Sequence, residues 1–442
     1  MRQTVFYPPK TGVNYLTVRG FTLSQAATPW APPTAEQIGL IGTHWSKGWI
    51  IESNRISHST CSGISLGKYG DEFDNTSADS AEGYVKTVER ALKNGWNRET
   101  IGHHLVRDNI ISHCEQAGIV GSLGCSFSRV TGNTIHDIHV RQLFSGAEMA
   151  GIKFHGAIDC EISHNHIYRT FRGIWLDWMA QGARVSGNLC HDNVSQDLYA
   201  EVNHGPFLVD NNFFLSAISL RDWSEGGAYV NNLLTGQITT SHPQTRLTPY
   251  HPAHSTALAS IVKVQGADDR FYNNIFIGDG KPVAVAISTT TTNKSAAKKP
   301  PLTAGFGLWV YDAHKFSLQT GGNVYFNGAW PYTNEVNSLV FSDINPQMKV
   351  VEEGGQTFVQ FNFGSELKPA TSILVATALL GQTKVSGLPY ENADGSPLKI
   401  DRDYFGQPRN ETHPTPGPFE ISKSGTQTIK VWPTVSSASL AH

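Results

Sequence analysis

Paired cysteine, excess charge of either sign and long apolar runs are all scarce in this 442-residue chain. The five cysteines, Cys61, Cys114, Cys125, Cys160 and Cys190, form no CxxC pair and are odd in number. Neither a disulfide scaffold nor a zinc finger fits, and a reducing compartment is the simplest expectation. Charged residues make up 16%, and 34 Lys plus Arg against 37 Asp plus Glu leave a formal charge of −3 with no basic stripe or acidic tail. No nucleic-acid partner is therefore expected. No apolar run approaches the roughly 18 residues needed to span a bilayer, so no membrane protein is expected. Residues 1–16 lack the charged and apolar regions of a secretory signal, which suggests either a cytoplasmic protein or a chain that starts inside a longer gene product. The histidines at His103-His104, His136, His139, His164 and His166 make no HExxH or related ligand set, so neither a metal nor another cofactor is expected.

What is present is a repeat. Asn followed within two positions by an aliphatic or aromatic pair recurs at Asn54, Asn109, Asn133, Asn165, Asn188, Asn212, Asn232, Asn274 and Asn323. The gaps of 55, 24, 32, 23, 24, 20, 42 and 49 residues are multiples of, or insertions into, a unit near 23. Short β-rich runs flank each mark. Asn suits the turn between them because it tolerates left-handed backbone angles and its amide can bond the Asn of the next coil. Hairpin strands would recur every 8 to 12 residues, so an antiparallel sandwich does not explain the spacing. The expected class is all-β, a right-handed parallel β-helix occupying residues 1–330, with strands buried on the inner side and solvated on the outer.

Departures from the period mark insertions. Residues 71–100 turn from polar to Tyr84-Val85-x-x-Val88-x-x-Ala91-Leu92, the spacing of an amphipathic helix packed on the coil's side. Residues 239–256, punctuated by Pro243, Pro249 and Pro252, and the Thr/Lys/Pro-rich 288–301 read as loops. Beyond about Trp330 the ladder is expected to stop, giving way to a C-terminal β extension over 331–433. That extension includes a hairpin at Val350 to Phe363 turning on Gly354-Gly355, and residues 434–442 read as a disordered tail.

Three neighbouring repeats align without gaps: Gly151-Ile152-Lys153-Phe154-His155, Gly173-Ile174-Trp175-Leu176-Asp177 and Asp197-Leu198-Tyr199-Ala200-Glu201. Their second and fourth residues are apolar and face the core, so the third and fifth face outward. This gives two columns, Lys153, Trp175, Tyr199 and His155, Asp177, Glu201. Stacked strands lie about 4.7 to 4.9 Å apart, which sets the Asp177 and Glu201 carboxyls roughly 5 Å apart. Retaining glycosidases use two carboxyls at about 5 to 5.5 Å, inverting ones at about 6.5 to 9.5 Å. Two close carboxylates also resist ionising together, which keeps a proton on one. Trp175 and Tyr199 could offer ring faces to a sugar, and Trp178 adds to an aromatic outer patch. His155 is either a third member of the site or a hydrogen-bonded surface histidine. Glu148 reads as a loop carboxylate.

The runs Gly146-Ala147-Glu148-Met149-Ala150-Gly151-Ile152-Lys153, Gly173-Ile174-Trp175-Leu176-Asp177-Trp178-Met179-Ala180-Gln181-Gly182 and Tyr199-Ala200-Glu201-Val202-Asn203-His204-Gly205-Pro206 resemble those of glycoside hydrolase family 120, retaining β-xylosidases on a right-handed parallel β-helix. The resemblance extends from about Tyr7 to Pro416-Gly417-Pro418-Phe419-Glu420. It implies Asp177 as nucleophile, Glu201 as acid/base and Glu148 as a further carboxylate at the sugar-binding subsite. Lys153, His155, Trp175, Trp178, Tyr199, Asn203 and His204 complete the expected substrate-binding set. Which carboxylate attacks, and the role of Glu148, rest on the resemblance alone. Members of the family also carry an N-terminal segment with initial coils and an inserted β-sandwich, whereas this chain begins in coil-like sequence. A domain's worth of residues is thus expected to be absent and the substrate site to be open and weakened.

The expected activity is exo-acting hydrolysis of xylo-oligosaccharides or aryl β-xylosides, with the carbohydrate as partner and self-association left open. Two rivals remain: a β-helix polysaccharide lyase or pectin hydrolase, and a non-catalytic or truncated glycan-binding β-helix. The first would want Ca²⁺ and a cationic base, where the column offers only Lys153 among acidic neighbours.

Overall fold

The computed structural model describes residues 2–74, 81–144, 148–241, 246–281, 302–364, 367, 372–421 and 425–433. The expected low-complexity loop at 288–301 and the tail at 434–442 lie outside them. Among the described residues, three sheets of 9, 10 and 11 strands run along one axis, their neighbours almost all parallel and one coil apart in sequence. A turn of the solenoid visits them in fixed order. Arg129–Thr131 lies in the 10-stranded second sheet, Thr134–His136 in the 11-stranded third sheet, and Ala150–His155 in the 9-stranded first sheet. The chain then re-enters the second sheet one layer on, at Glu161–Ser163.

The asparagines form one continuous ladder at the turn between the second and third sheets. The side-chain oxygen of each accepts both the backbone N–H and the side-chain amide of the Asn one coil earlier, at 2.9–3.0 Å from Asn54 through Asn323. Phe21 N–H donates to the free oxygen of Asn54 at one end, and the Asn323 amide donates to Glu335 at 2.7 Å at the other. The residue in left-handed backbone is not the asparagine, however, but the one before it. Ser53, Asp108, Gly132, His164, Gly187, Asn211, Asn231, Asn273 and Gly322 all have φ between 52° and 69°. That kink turns the next side chain inward, so every ladder asparagine is buried.

Inside the coils the aliphatic residues stack in files, with Ile152, Ile174 and Leu198 above one another and Phe154, Leu176 and Ala200 beside them, all fully buried. The residues between them leave the core as expected but do not meet solvent. Lys153, His155, Trp175, Asp177, Tyr199 and Glu201 are all buried too, because other segments cover this part of the first sheet.

Two of those segments are insertions that leave the coil at the same corner, after a strand of the first sheet. The first carries the helix Ala81–Lys93, whose Tyr84, Val88 and Ala91 pack with Trp45, Tyr69, Trp96 and Trp178. The second holds an antiparallel pair, Leu247–Tyr250 with Ser260–Lys263, so the segment 239–256 is not simply a loop. Of its prolines, Pro249 lies within the pair, where a two-stranded ladder has two edges on which a missing N–H costs no bond.

At the far end the third sheet takes one more parallel strand, Leu339–Phe341, past the expected stop near Trp330. The hairpin Lys349–Glu353 with Gln356–Phe361 turns on Gly354 and Gly355, both at positive φ, and Gln427–Trp432 completes a three-stranded sheet. Its Val359, Phe361 and Val431 pack with Leu189 and Phe213 of the third sheet. Replacing Asn165 by Ala would leave the Asn133 N–H and side-chain amide without their acceptor. The expected loss is about 2–4 kcal/mol of unfolding free energy, read as a lower urea midpoint; an unchanged midpoint would show that the ladder contributes little.

Candidate active site

Asp177 ends the strand Ile174–Asp177, and Glu201 ends its neighbour Leu198–Glu201. The two strands pair in parallel with Trp175 against Tyr199 and Asp177 against Glu201. On the other side Lys153 pairs with Trp175 and His155 with Asp177. The columns are therefore aligned as their sequence period requires. Partners in such a ladder are about 4.7–4.9 Å apart along the stack, and both carboxyls leave the same face. Asp177 and Glu201 keep 5% and 7% exposure, whereas Glu148 and Lys153 have none, so only the first two can be reached from outside.

The two carboxyls have different surroundings. Lys153 Nζ lies 2.9 Å from Asp177 Oδ2, and His155 Nε2 lies 3.1 Å from the same oxygen. Asp177 Oδ1 is buried with no hydrogen-bond partner. Burial alone would raise the Asp177 carboxyl, but His155 and Lys153 outweigh it and hold the group well below its usual range. Glu201 accepts from Trp175 Nε1 at 3.1 Å through one oxygen and pairs with Arg246 through the other. Burial first, and the Asp177 carboxylate second, push the Glu201 carboxyl up, against the opposing pull of Arg246. The two neighbouring carboxyls are thus shifted in opposite directions, Asp177 down and Glu201 up.

Glu148 is not a surface loop carboxylate. Its Oε1 takes the Lys153 ammonium and lies 3.3 Å from His155 Nε2, while Oε2 accepts from Gln37 at 2.5 Å. A buried ammonium demands a counter-charge, and Glu148 supplies it from behind. Glu148, His155 and Asp177 carry atoms close enough together to hold a cation, but the Lys153 ammonium, bonded to both carboxylates, provides positive charge at that place.

His155 belongs to the site and is not a surface histidine. Burial would lower its pKa, but the Asp177 and Glu148 carboxylates together hold it above its usual value, and the Tyr84 ring lies 4.7 Å from it. Trp178, at positive φ, packs edge-on against Tyr84 with the Arg246 guanidinium 5.7 Å from its ring. Trp175 and Tyr199 do not offer open ring faces. They stack on each other at 5.1 Å, and Lys153 and Arg172 lie 4.4 and 4.3 Å from the Trp175 ring centre. Strand stacking along the axis forces this, since in-register aromatic rings cover one another.

Asn203 and His204 are engaged by partners other than the two carboxylates. Asn203 accepts from Ala180 N–H at 2.8 Å and donates to Leu176 O, which makes it a turn residue. His204 is buried between Glu225, at 2.6 Å, and the carbonyls of the second insertion. Sequence reasoning missed Arg246 and Gln37, and it read Tyr84 only as helix core. All three come from segments without the coil's period.

A parallel β-helix whose first sheet sets two partly reachable carboxyls side by side has the parts a glycoside hydrolase needs. The family model for the right-handed β-helix region matches residues 38–234. The solved structure of XylC in complex with xylose is 38% identical, covering 98% of this chain and 68% of its own, with a TM-score of 0.89. The chain belongs to glycoside hydrolase family 120. The pectate lyase Pel9A aligns over 62% of this chain and 65% of its own at 9% identity and a TM-score of 0.31, too low to carry any inference. No curated protein matches the chain significantly.

Replacing Lys153 by Met leaves Asp177 and Glu148 buried without their ammonium. Breaking a buried pair this way costs about 3–5 kcal/mol. A carboxyl held below its ordinary pKa adds stability above that value and loses it as pH falls through the folded-state pKa. The deficit in Asp177 pairing should therefore be full at neutral pH and shrink below its ordinary value of 3.8. Denaturant melts at several pH values test this; a deficit that does not depend on pH contradicts the pairing.

Proposed function

We propose that the protein is an exo-acting retaining β-xylosidase in which Asp177 is the nucleophile and Glu201 the acid/base. The observation that carries this reading is the asymmetry of the pair. Asp177 has one oxygen fixed by Lys153 and His155 and the other without a partner. Burial and the Asp177 carboxylate push the Glu201 carboxyl up, the direction a proton donor needs.

In the first step Asp177 Oδ1 attacks the anomeric carbon while Glu201 gives its proton to the glycosidic oxygen, and the aglycone leaves as an alcohol. The bond formed is an ester between the sugar and Asp177. In the second step Glu201, now a carboxylate, takes a proton from water, whose oxygen attacks the anomeric carbon and releases Asp177. Loss of negative charge on Asp177 weakens its repulsion of Glu201, so the acid's pKa falls in the intermediate and it becomes a base. Lys153 and His155 keep Asp177 ionised and oriented between turnovers. Glu148 holds those two groups and acts on the sugar only through them. Support for xylose as the sugar is the 38% identity to a protein solved with xylose bound.

On an aryl β-xyloside, Asp177→Ala should abolish hydrolysis, and azide should restore release of the aglycone with an α-xylosyl azide as product. Glu201→Gln should slow substrates with poor leaving groups about 10²–10⁴-fold and dinitrophenyl xyloside far less. Proton NMR of the wild-type reaction should show β-xylose as the first-formed sugar; α-xylose would defeat the retaining mechanism.

Arg246 stabilises the ionised form of Glu201. In Arg246→Met the Glu201 pKa should rise and the alkaline limb of the kcat/KM profile should move to higher pH. Movement to lower pH would contradict the assignment of Glu201 as the acid.

A further inference from the structure

A second group of convergent side chains lies on the third sheet, away from the carboxylate pair on the first. His166 lies on the strand His166–Tyr168, and His191 on its parallel neighbour Leu189–His191. Their Nε2 atoms are 2.7 Å apart and both residues are buried. Glu352, on the C-terminal hairpin strand Lys349–Glu353, brings Oε1 to 4.0 Å from His191 Nε2, and all three atoms lie within 4.8 Å of one another. We propose that His166, His191 and Glu352 form a zinc-binding site that clips the C-terminal sheet to the solenoid.

The chemistry of the donors favours this class of ion. Two imidazoles and one carboxylate suit zinc and exclude the all-oxygen preference of magnesium or calcium. The Nδ1 of His191 lies 2.8 Å from the Asp192 carboxylate. That contact fixes the ring with Nε2 turned inward, as metal-bound histidines are commonly fixed by a carboxylate on the other nitrogen. The Tyr168 ring stacks against both imidazoles at 4.4 and 5.1 Å, and Trp432 of the same C-terminal sheet lies 5.4 Å from His166. The rings are thus held by packing from two separately folded parts of the chain.

Two nitrogens bound to tetrahedral zinc at about 2.0–2.1 Å stand roughly 3.3 Å apart. The imidazoles must therefore open slightly while the half-exposed Glu352 side chain swings in. Three protein ligands leave a fourth position for water. The alternative is that the two rings simply share one proton, which accounts for the 2.7 Å separation with no ion.

The two readings separate in a titration of the chelator-stripped full chain with zinc chloride at neutral pH. The site predicts one saturable zinc per chain, at least tenfold weaker in Glu352→Gln and lost in His191→Ala. Saturating zinc should raise the wild-type melting temperature by several degrees and leave that of His191→Ala unmoved. Because Glu352 is half exposed, Glu352→Gln should melt like the wild type without metal, so weakened binding there reflects ligation and not unfolding. No saturable binding to the wild type, or equal binding by all three proteins, overturns the proposal.

Discussion

Every coil depends on the hydrogen bonds between stacked asparagines at one corner. A buried primary amide has two donors and a carbonyl to satisfy; in Asn165 one donor finds a backbone carbonyl, the other finds the oxygen of Asn188 in the next coil, and the carbonyl accepts from Asn133 in the coil before. The ladder therefore does more than close a turn. It fixes the register of each coil on the last, and register decides which residues of the first sheet stand side by side. Asp177 and Glu201 are neighbours because Asn188 and Asn212 are neighbours.

On that frame the site is asymmetric. The coil supplies Lys153, His155, Asp177 and Glu201 in two straight files, and it would hold both acids in near-equal surroundings if nothing else touched them. Differentiation comes from what lies on either side. Lys153, with Glu148 and Gln37 behind it, biases Asp177 toward its charged form. Trp175 and Arg246 hold Glu201, whose carboxyl is nonetheless raised by burial and by Asp177. One short strand spacing thus separates a carboxyl biased toward its charged form from one biased toward its neutral form.

The period of the asparagines and the alternation of apolar residues are local, repeated features, so the solenoid, its three short strands per coil and the pairing of Asp177 with Glu201 could be read directly from the sequence. Burial of the outer columns could not. It depends on a helix and a strand pair whose own patterns say nothing about where they dock. For the same reason Lys153 read as an exposed cation and Glu148 as a loop acid, when each is buried against the other. The partners of Asn203 and His204, a turn of the coil and the second insertion, were equally invisible, since they depend on how distant segments fold together. His166 was weighed only against linear ligand sets, and His191 and Glu352 not at all, because no linear motif joins positions so far apart.

Both covering segments leave the solenoid at one corner, and the asparagine ladder runs along another. Changes in the length or composition of those insertions can reshape the rim, exchange Arg246 or shift the acidity of Glu201 without disturbing a rung. The register of the coils and the covering of the two carboxyls are in this way assigned to different edges of the solenoid, so the one can change while the other stays constant.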